Sequence, residues 1–213
     1  MDPTLPQRVY LLSYDADKQR FDPVSTAYRG QLLRAAALAE LTIAGLVGDR
    51  NGKAVRNAGP PPDDPFLAAV LGDVPRDTPR HRLGLLQHGM LRADAAVREP
   101  LARAGTITVR RSRVLGLIPV TNVTVDRPER VLALRERTRA ALFAGGDPAA
   151  VPVEDAAAAA IAVAGGVTTV FTLAELRHHK PRVTALNAHV DAAAPGVLKA
   201  VRLAVAATRS AAT

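Results

Sequence analysis

The 213-residue sequence contains no cysteine and no tryptophan, and aromatic residues make up only 3% of it. Without cysteine there is no disulfide, no thiolate nucleophile and no cysteine-ligated zinc. With so few rings, the core has to be filled by leucine, valine and the 41 alanines, small side chains that suit closely packed helices. Lysine is scarce as well: 24 of the 28 basic residues are arginine, and the formal net charge is +8. An excess of that size favours an acidic partner, with nucleic acid and an anionic membrane surface as the two classes in view. No basic start followed by an apolar run opens the chain, which reads as a cytoplasmic protein. The longest uncharged stretch, 156–174, is mostly alanine and is broken by Gly165-Gly166, which suits a buried helix better than a membrane span. The length fits a single domain over 1–213.

Local patterns predict a mainly α fold, a single compact helical domain carrying short β-hairpins, one of them apolar-tipped and following a central helix. Val9-Tyr10-Leu11-Leu12 reads as a strand, and Ser25 to Ala44 as a helix with Leu33, Ala36, Ala37 and Leu41 on its inner face. Asn51-Gly52, between Leu46–Arg50 and Lys53–Val55, marks a tight hairpin turn. Asp63 and Asp64 are placed to cap a short helix through Leu71. A helical pattern covers His81 to Ala104, with Pro100 as its expected kink. Thr106–Arg110 and Val114–Val125 then alternate as paired strands. Four further helices are expected from Asp126, Val153, Thr172 and Gly196 onward, the Thr172 one divided at Pro181, and Leu132, Leu134 and Leu142 are expected inside the first of them.

Catalytic chemistry is not signalled. His81, His88, His178, His179 and His189 lack the carboxylate or second histidine at helical spacing that a metal site needs, and neither a nucleophile elbow nor a phosphate-binding glycine loop occurs. Glu40 sits among apolar residues, where a hydrogen-bonded or ion-paired carboxylate is the usual role. The expectation is a protein that is not an enzyme and takes no cofactor or metal.

The constellation that stands out lies between Arg98 and Pro119. Arg98, Arg103, Arg110, Arg111 and Arg113 lead directly into Val114-Leu115-Gly116-Leu117-Ile118. A basic rim beside an apolar hairpin suits a peripheral membrane protein. Each arginine near anionic lipid contributes roughly 1 kcal/mol, and inserted leucine and isoleucine contribute about 25 cal/mol per Å² of buried apolar area. Two other readings use the same residues. Leu115, Leu117 and Ile118 can face the core, or the helix and basic hairpin can form a winged-helix DNA-binding module with Arg110, Arg111 and Arg113 on phosphates.

Tyr10-Leu11-Leu12-Ser13-Tyr14-Asp15, Leu33-Arg34-Ala35-Ala36-Ala37-Leu38-Ala39-Glu40-Leu41, Leu101-Ala102-Arg103-Ala104-Gly105, Arg113-Val114-Leu115-Gly116-Leu117-Ile118-Pro119 and Arg135-Glu136-Arg137 occur in that order. Their arrangement resembles the Golgi phosphoprotein 3 family over nearly the whole chain. The resemblance implies a mainly α-helical peripheral membrane protein that binds phosphatidylinositol 4-phosphate at a basic pocket and inserts a hydrophobic hairpin. In eukaryotes such proteins link Golgi membrane lipid to glycosyltransferase retention, so a client membrane protein is an implied partner. Arg34 falls on the arginine of the family's first-helix motif, and Val114, Leu115 and Leu117 on its hairpin tip. The family's pocket tryptophan would fall near Ser25, and its later arginine pair near Leu91 and Asp94, with Arg92 adjacent. The expected headgroup-binding set is Arg34, Arg92, Arg110, Arg111 and Arg113, and the membrane-inserting set Val114, Leu115, Leu117 and Ile118, on the inner face of a membrane, with self-association through the hairpin as a further expectation. The Ala- and Arg-rich composition looks like that of a high-GC bacterium.

Overall fold

The computed structural model describes residues 2–114 and 118–211. At its centre lies α3, Arg29–Ile43, which is buried without a break from Gln31 to Ala39. A helix buried on every side cannot be amphipathic, and the alanines on α3 let its neighbours approach closely. The second alanine-rich helix, α8 (Val153–Gly165), is likewise buried from Asp155 to Ala162 and packs against α3. Around this pair stand α1 (Leu5–Leu12), α4 (Pro65–Asp73), α5 (Arg82–Gln87), α6 (Met90–Arg103), α7 (Pro128–Phe143), α10 (Lys180–Ala193) and α11 (Val197–Ser210). Two short helices, α2 (Pro23–Thr26) and α9 (Leu173–His178), join the larger ones. One hydrophobic cluster runs through all the long helices, from Leu5 to Val205.

Three antiparallel hairpins sit on this helical body: β1 (Tyr14–Asp15) with β2 (Arg20–Phe21), β3 (Val47–Arg50) with β4 (Lys53–Arg56), and β5 (Ile107–Val114) with β6 (Ile118–Val125). The mainly α class with short hairpins is thus as the sequence predicts. Asn51 and Gly52 both take positive φ, 54° and 76°, which is what a two-residue hairpin turn requires. Asp64 caps α4 through bonds from the Phe66 and Leu67 amides.

Several local expectations are corrected. Val9–Leu12 is not a strand but the end of α1: Thr4 and Gln7 flank its first turn, Pro6 suits that turn, and burial on nearly all sides removes the helical period from the sequence. The helix expected from Ser25 is divided at Tyr28 into α2 and α3. The break expected at Pro100 occurs instead at His88-Gly89, where Gly89 has φ 67°, and Pro100 remains inside α6 near its C-terminal end. In α7 the inward residues are Val131, Thr138, Ala141 and Leu142, whereas Leu132 is exposed and Leu134 half-buried. The N-cap of that helix is Arg127, and Asp126 instead accepts a bond from the Thr108 hydroxyl at 2.7 Å.

The crossing of α3 and α6 depends on Gly30. A Cβ there would stand 2.1 Å from the Met90 carbonyl oxygen, a backbone atom that cannot rotate away. We expect Gly30→Ala to lower stability by about 1–3 kcal/mol or more in denaturant titration, although alanine is the better helix former. An unchanged midpoint would show that the two helices separate freely.

Candidate functional site

The elements that present the predicted binding residues follow one another: α5, the left-handed Gly89, α6, and the β5–β6 hairpin. Arg34 reaches the α5–α6 junction from below. It is 3% exposed, donates from Nε to the Leu85 carbonyl at 2.6 Å, and pairs through Nη2 with Asp73 at 2.8 Å. Its Nη1 lies 3.2 Å from where a Cβ on Gly89 would stand, so the missing side chain leaves that edge of the guanidinium uncovered by Gly89. Asp73 also faces the exposed His88 ring, at 3.4 Å. The residue expected as the principal headgroup ligand is therefore held in the fold by two of its three nitrogens.

Arg92 stands exposed on the first turn of α6, beside Leu91, which is 89% exposed. No ion pair holds Arg92 among the described residues. Asp94, in the same helix, is saturated: Arg29 meets it at 2.6 Å and Arg98 at 2.9 Å. Asp94, near which the resemblance leads one to expect an arginine, is thus a carboxylate already paired with two arginines. The Arg29 guanidinium also lies 4.2 Å over the Phe21 ring, close to Tyr10. Burial among these groups, with Asp94 adding to it, raises the Tyr10 hydroxyl pKa.

Along the hairpin, the backbone register sets Arg110 opposite Asn122, Arg111 opposite Thr121, Arg113 opposite Pro119 and Val114 opposite Ile118. Ile107 and Val125 at the base are buried, Val109 and Val123 are partly so, and Arg110 is exposed. Leu115 and Leu117 lie outside the described residues, as do the side chains of Arg111, Arg113, Val114 and Ile118. The register nonetheless corrects the strand limits: β5 continues to Val114, and β6 begins at Ile118 rather than at Val114.

A model of the Golgi phosphoprotein 3 (GPP34) family matches residues 5–208. The chain belongs to this family. No curated protein matches it at a significant level. The Golgi phosphoprotein 3 domain accounts for nearly the whole sequence and agrees with the mainly helical architecture.

Sequence reasoning did not find the Asp73 and Leu85 partners of Arg34, because they come from separate elements and carry no spacing signal. It also did not find a cleft of about 750 Å³ between α1, the start of α4, the end of α6 and α7. Three arginines line that cleft, Arg8, Arg130 and Arg137, against Asp2, Asp63 and Asp64. Arg8 and Arg137 both bind Asp155, at 3.0 and 2.8 Å, so the cleft has no surplus of positive charge for a phosphate. Among the described residues no group of three or more metal-ligating side chains occurs, and no helix is long and apolar enough to cross a membrane.

Glu40 accepts the Leu5 amide at 2.7 Å, so it is the hydrogen-bonded carboxylate that its apolar neighbours suggested. Burial pushes its pKa above the ordinary carboxylate value, outweighing the Leu5 bond. Between the unfolded and folded pKa the native state binds the extra proton, so stability falls as pH rises through that window. Glu40→Gln keeps an acceptor for Leu5 and removes the charge. We expect it to be neutral or stabilising at pH 7–8, with the difference from wild type vanishing on acidification, as read by melting temperature against pH.

Truncation of Arg34 leaves Asp73 half-buried without its partner and the Leu85 carbonyl unbonded. Arg34→Ala should cost about 3–5 kcal/mol in chemical denaturation. Arg92→Ala should change stability by less than about 0.5 kcal/mol, as for other surface substitutions.

Proposed function

We propose that the protein is a peripheral membrane protein that binds anionic phospholipid, with a phosphorylated inositide such as phosphatidylinositol 4-phosphate as its headgroup and the inner face of a membrane as its location. Family membership over residues 5–208 carries this reading. The charge of +8 and the run from Arg110 to Ile118 support it. Arg92, Arg110, Arg111 and Arg113 supply charge toward the lipid surface. Arg34 contributes only through Nη1 beneath Gly89, since its other nitrogens hold Leu85 and Asp73. Val114, Leu115, Leu117 and Ile118 enter the apolar layer. Tight headgroup selection is not expected from this set, because the tryptophan and the arginine pair of the family's pocket have no equivalents. A client membrane protein, and self-association through the hairpin, are the partners that this reading allows. The protein is proposed to act by binding alone.

Long-range attraction of arginine to lipid is screened within about 8 Å at physiological ionic strength, while apolar insertion is not screened. Co-sedimentation with vesicles of phosphatidylcholine, alone or with phosphatidylinositol or phosphatidylinositol 4-phosphate, separates the two contributions when salt is varied. We expect binding to the anionic vesicles that retains a salt-resistant part. Serine at both Leu115 and Leu117 should remove that part, lowering vesicle affinity at least about tenfold. Duplex DNA should not compete. Full competition by DNA with undiminished binding of the double-serine variant would replace the membrane reading with the winged-helix one.

A further inference from the structure

Among the described residues Leu91 is the large apolar side chain most open to water: it is 89% exposed, against 70% for Leu173 and less than half for Val24, Leu132 and Leu203. It stands on the first turn of α6, next to Met90, whose carbonyl fills the space beside Gly30 of α3. The backbone fixes the helix there, and the inward row of α6 is Ala93, Val97 and Leu101, which position 91 does not join. The core thus gains nothing from a leucine at this point, and the side chain forgoes the free energy that burial would provide.

Its surroundings carry a surplus of positive charge. Arg92 is exposed and makes no ion pair among the described residues, and Ala95, one turn on from Leu91, is exposed as well. Asp94 is the one carboxylate on the first two turns of α6, and it is shared by Arg29 at 2.6 Å and Arg98 at 2.9 Å. Arg29, Arg92 and Arg98 therefore stand against a single carboxylate. Asp73, at the approach to α5, is likewise taken by Arg34. A soluble anion would meet the charge and leave the leucine in water. An anionic bilayer meets both, with headgroups on the arginine and acyl chains on the leucine.

We infer that Leu91 is a second point of membrane insertion, entering the apolar edge of an anionic bilayer while Arg92 stays at the headgroups. This contact presupposes the peripheral membrane protein proposed above. One leucine is too small to anchor a protein, so it acts on a molecule that the β5–β6 hairpin already holds, and it is lost with that hairpin. Because the chain has no tryptophan, Leu91→Trp places a single indole at the site, and Leu173→Trp, at the exposed start of α9, serves as its control. On vesicles of phosphatidylcholine with phosphatidylinositol 4-phosphate, the emission of Leu91→Trp should shift to the blue and be quenched by lipids brominated on the acyl chain. Leu173→Trp should do neither. Leu91→Ser should lower affinity for the same vesicles about tenfold at an unchanged melting temperature, the loss expected when a leucine no longer leaves water. Absence of a shift in Leu91→Trp overturns the inference, and so do equal shifts in both tryptophan variants, which would report only the indole's own affinity for the interface. Vesicle affinity of Leu91→Ser equal to that of wild type overturns it too, while leaving the membrane reading in place. Failure of wild type to sediment with any of the vesicles overturns the membrane reading, and this contact with it.

Discussion

How closely backbones can approach α3 determines where everything else lies. Runs of buried alanine, Ala35–Ala37 in α3 and Ala156–Ala160 in α8, let neighbouring helices come close between the leucines, and glycine goes further where contact is tightest. At Gly30 the α6 carbonyl of Met90 occupies the space of a side chain, and at Gly165 a Cβ would stand 2.6 Å from Leu32. A core of this kind gains little from any one residue. It gains from the number of atoms in contact and from a packing density that leaves no room for adjustment. The scarcity of aromatic residues is the compositional counterpart of that geometry.

Arginine does the work that large side chains do elsewhere. Arg8 and Arg137 share Asp155, Arg29 and Arg98 share Asp94, Arg82 meets Asp49, and Arg139 meets Glu175 at 2.6 Å. The last pair, with Thr172, holds the Glu175 carboxyl down to about 2. Arg182 closes the end of α7 by donating to the Leu142, Ala144 and Gly146 carbonyls. A planar, forked cation is well suited to joining elements in this way, which a lysine could not match. The net charge of +8 therefore overstates the number of arginines that face outward to a partner. Those placed free to do so include Arg92 and Arg110.

Much of this was legible in the sequence because it depends on short-range signals. The Asn51-Gly52 turn, the Asp64 cap, the glycines closing helices and the alternation around Thr106–Arg110 each express a local backbone preference. The family resemblance was legible for the same reason, as short motifs in a fixed order. What failed to show was burial on all sides. Val9–Leu12 has no polar face, so its period is hidden and α1 could be taken for a strand, while α3, read correctly as a helix, is buried also at positions outside the predicted inner face. The break at Gly89 rather than Pro100 reflects a tertiary demand, since Arg34 and α3 need room at the junction. Arg34 itself is the sharpest case. Its motif was visible, but its occupation by Asp73 and Leu85 depends on residues some forty to fifty positions away, which no local pattern encodes.

The contact between Gly30 and Met90 also has a mechanical side. α6 carries the β5–β6 hairpin at one end and meets α3 through this steric contact at the other. Two surfaces in van der Waals contact resist compression steeply and tension weakly. The joint therefore acts as a one-way stop: a push toward α3 is borne by the bundle, while an outward pull is opposed by the apolar grip of Ala93, Val97 and Leu101 along the helix and by the Arg29–Asp94 ion pair. Load on the hairpin is thus passed to the body of the molecule unequally in the two directions.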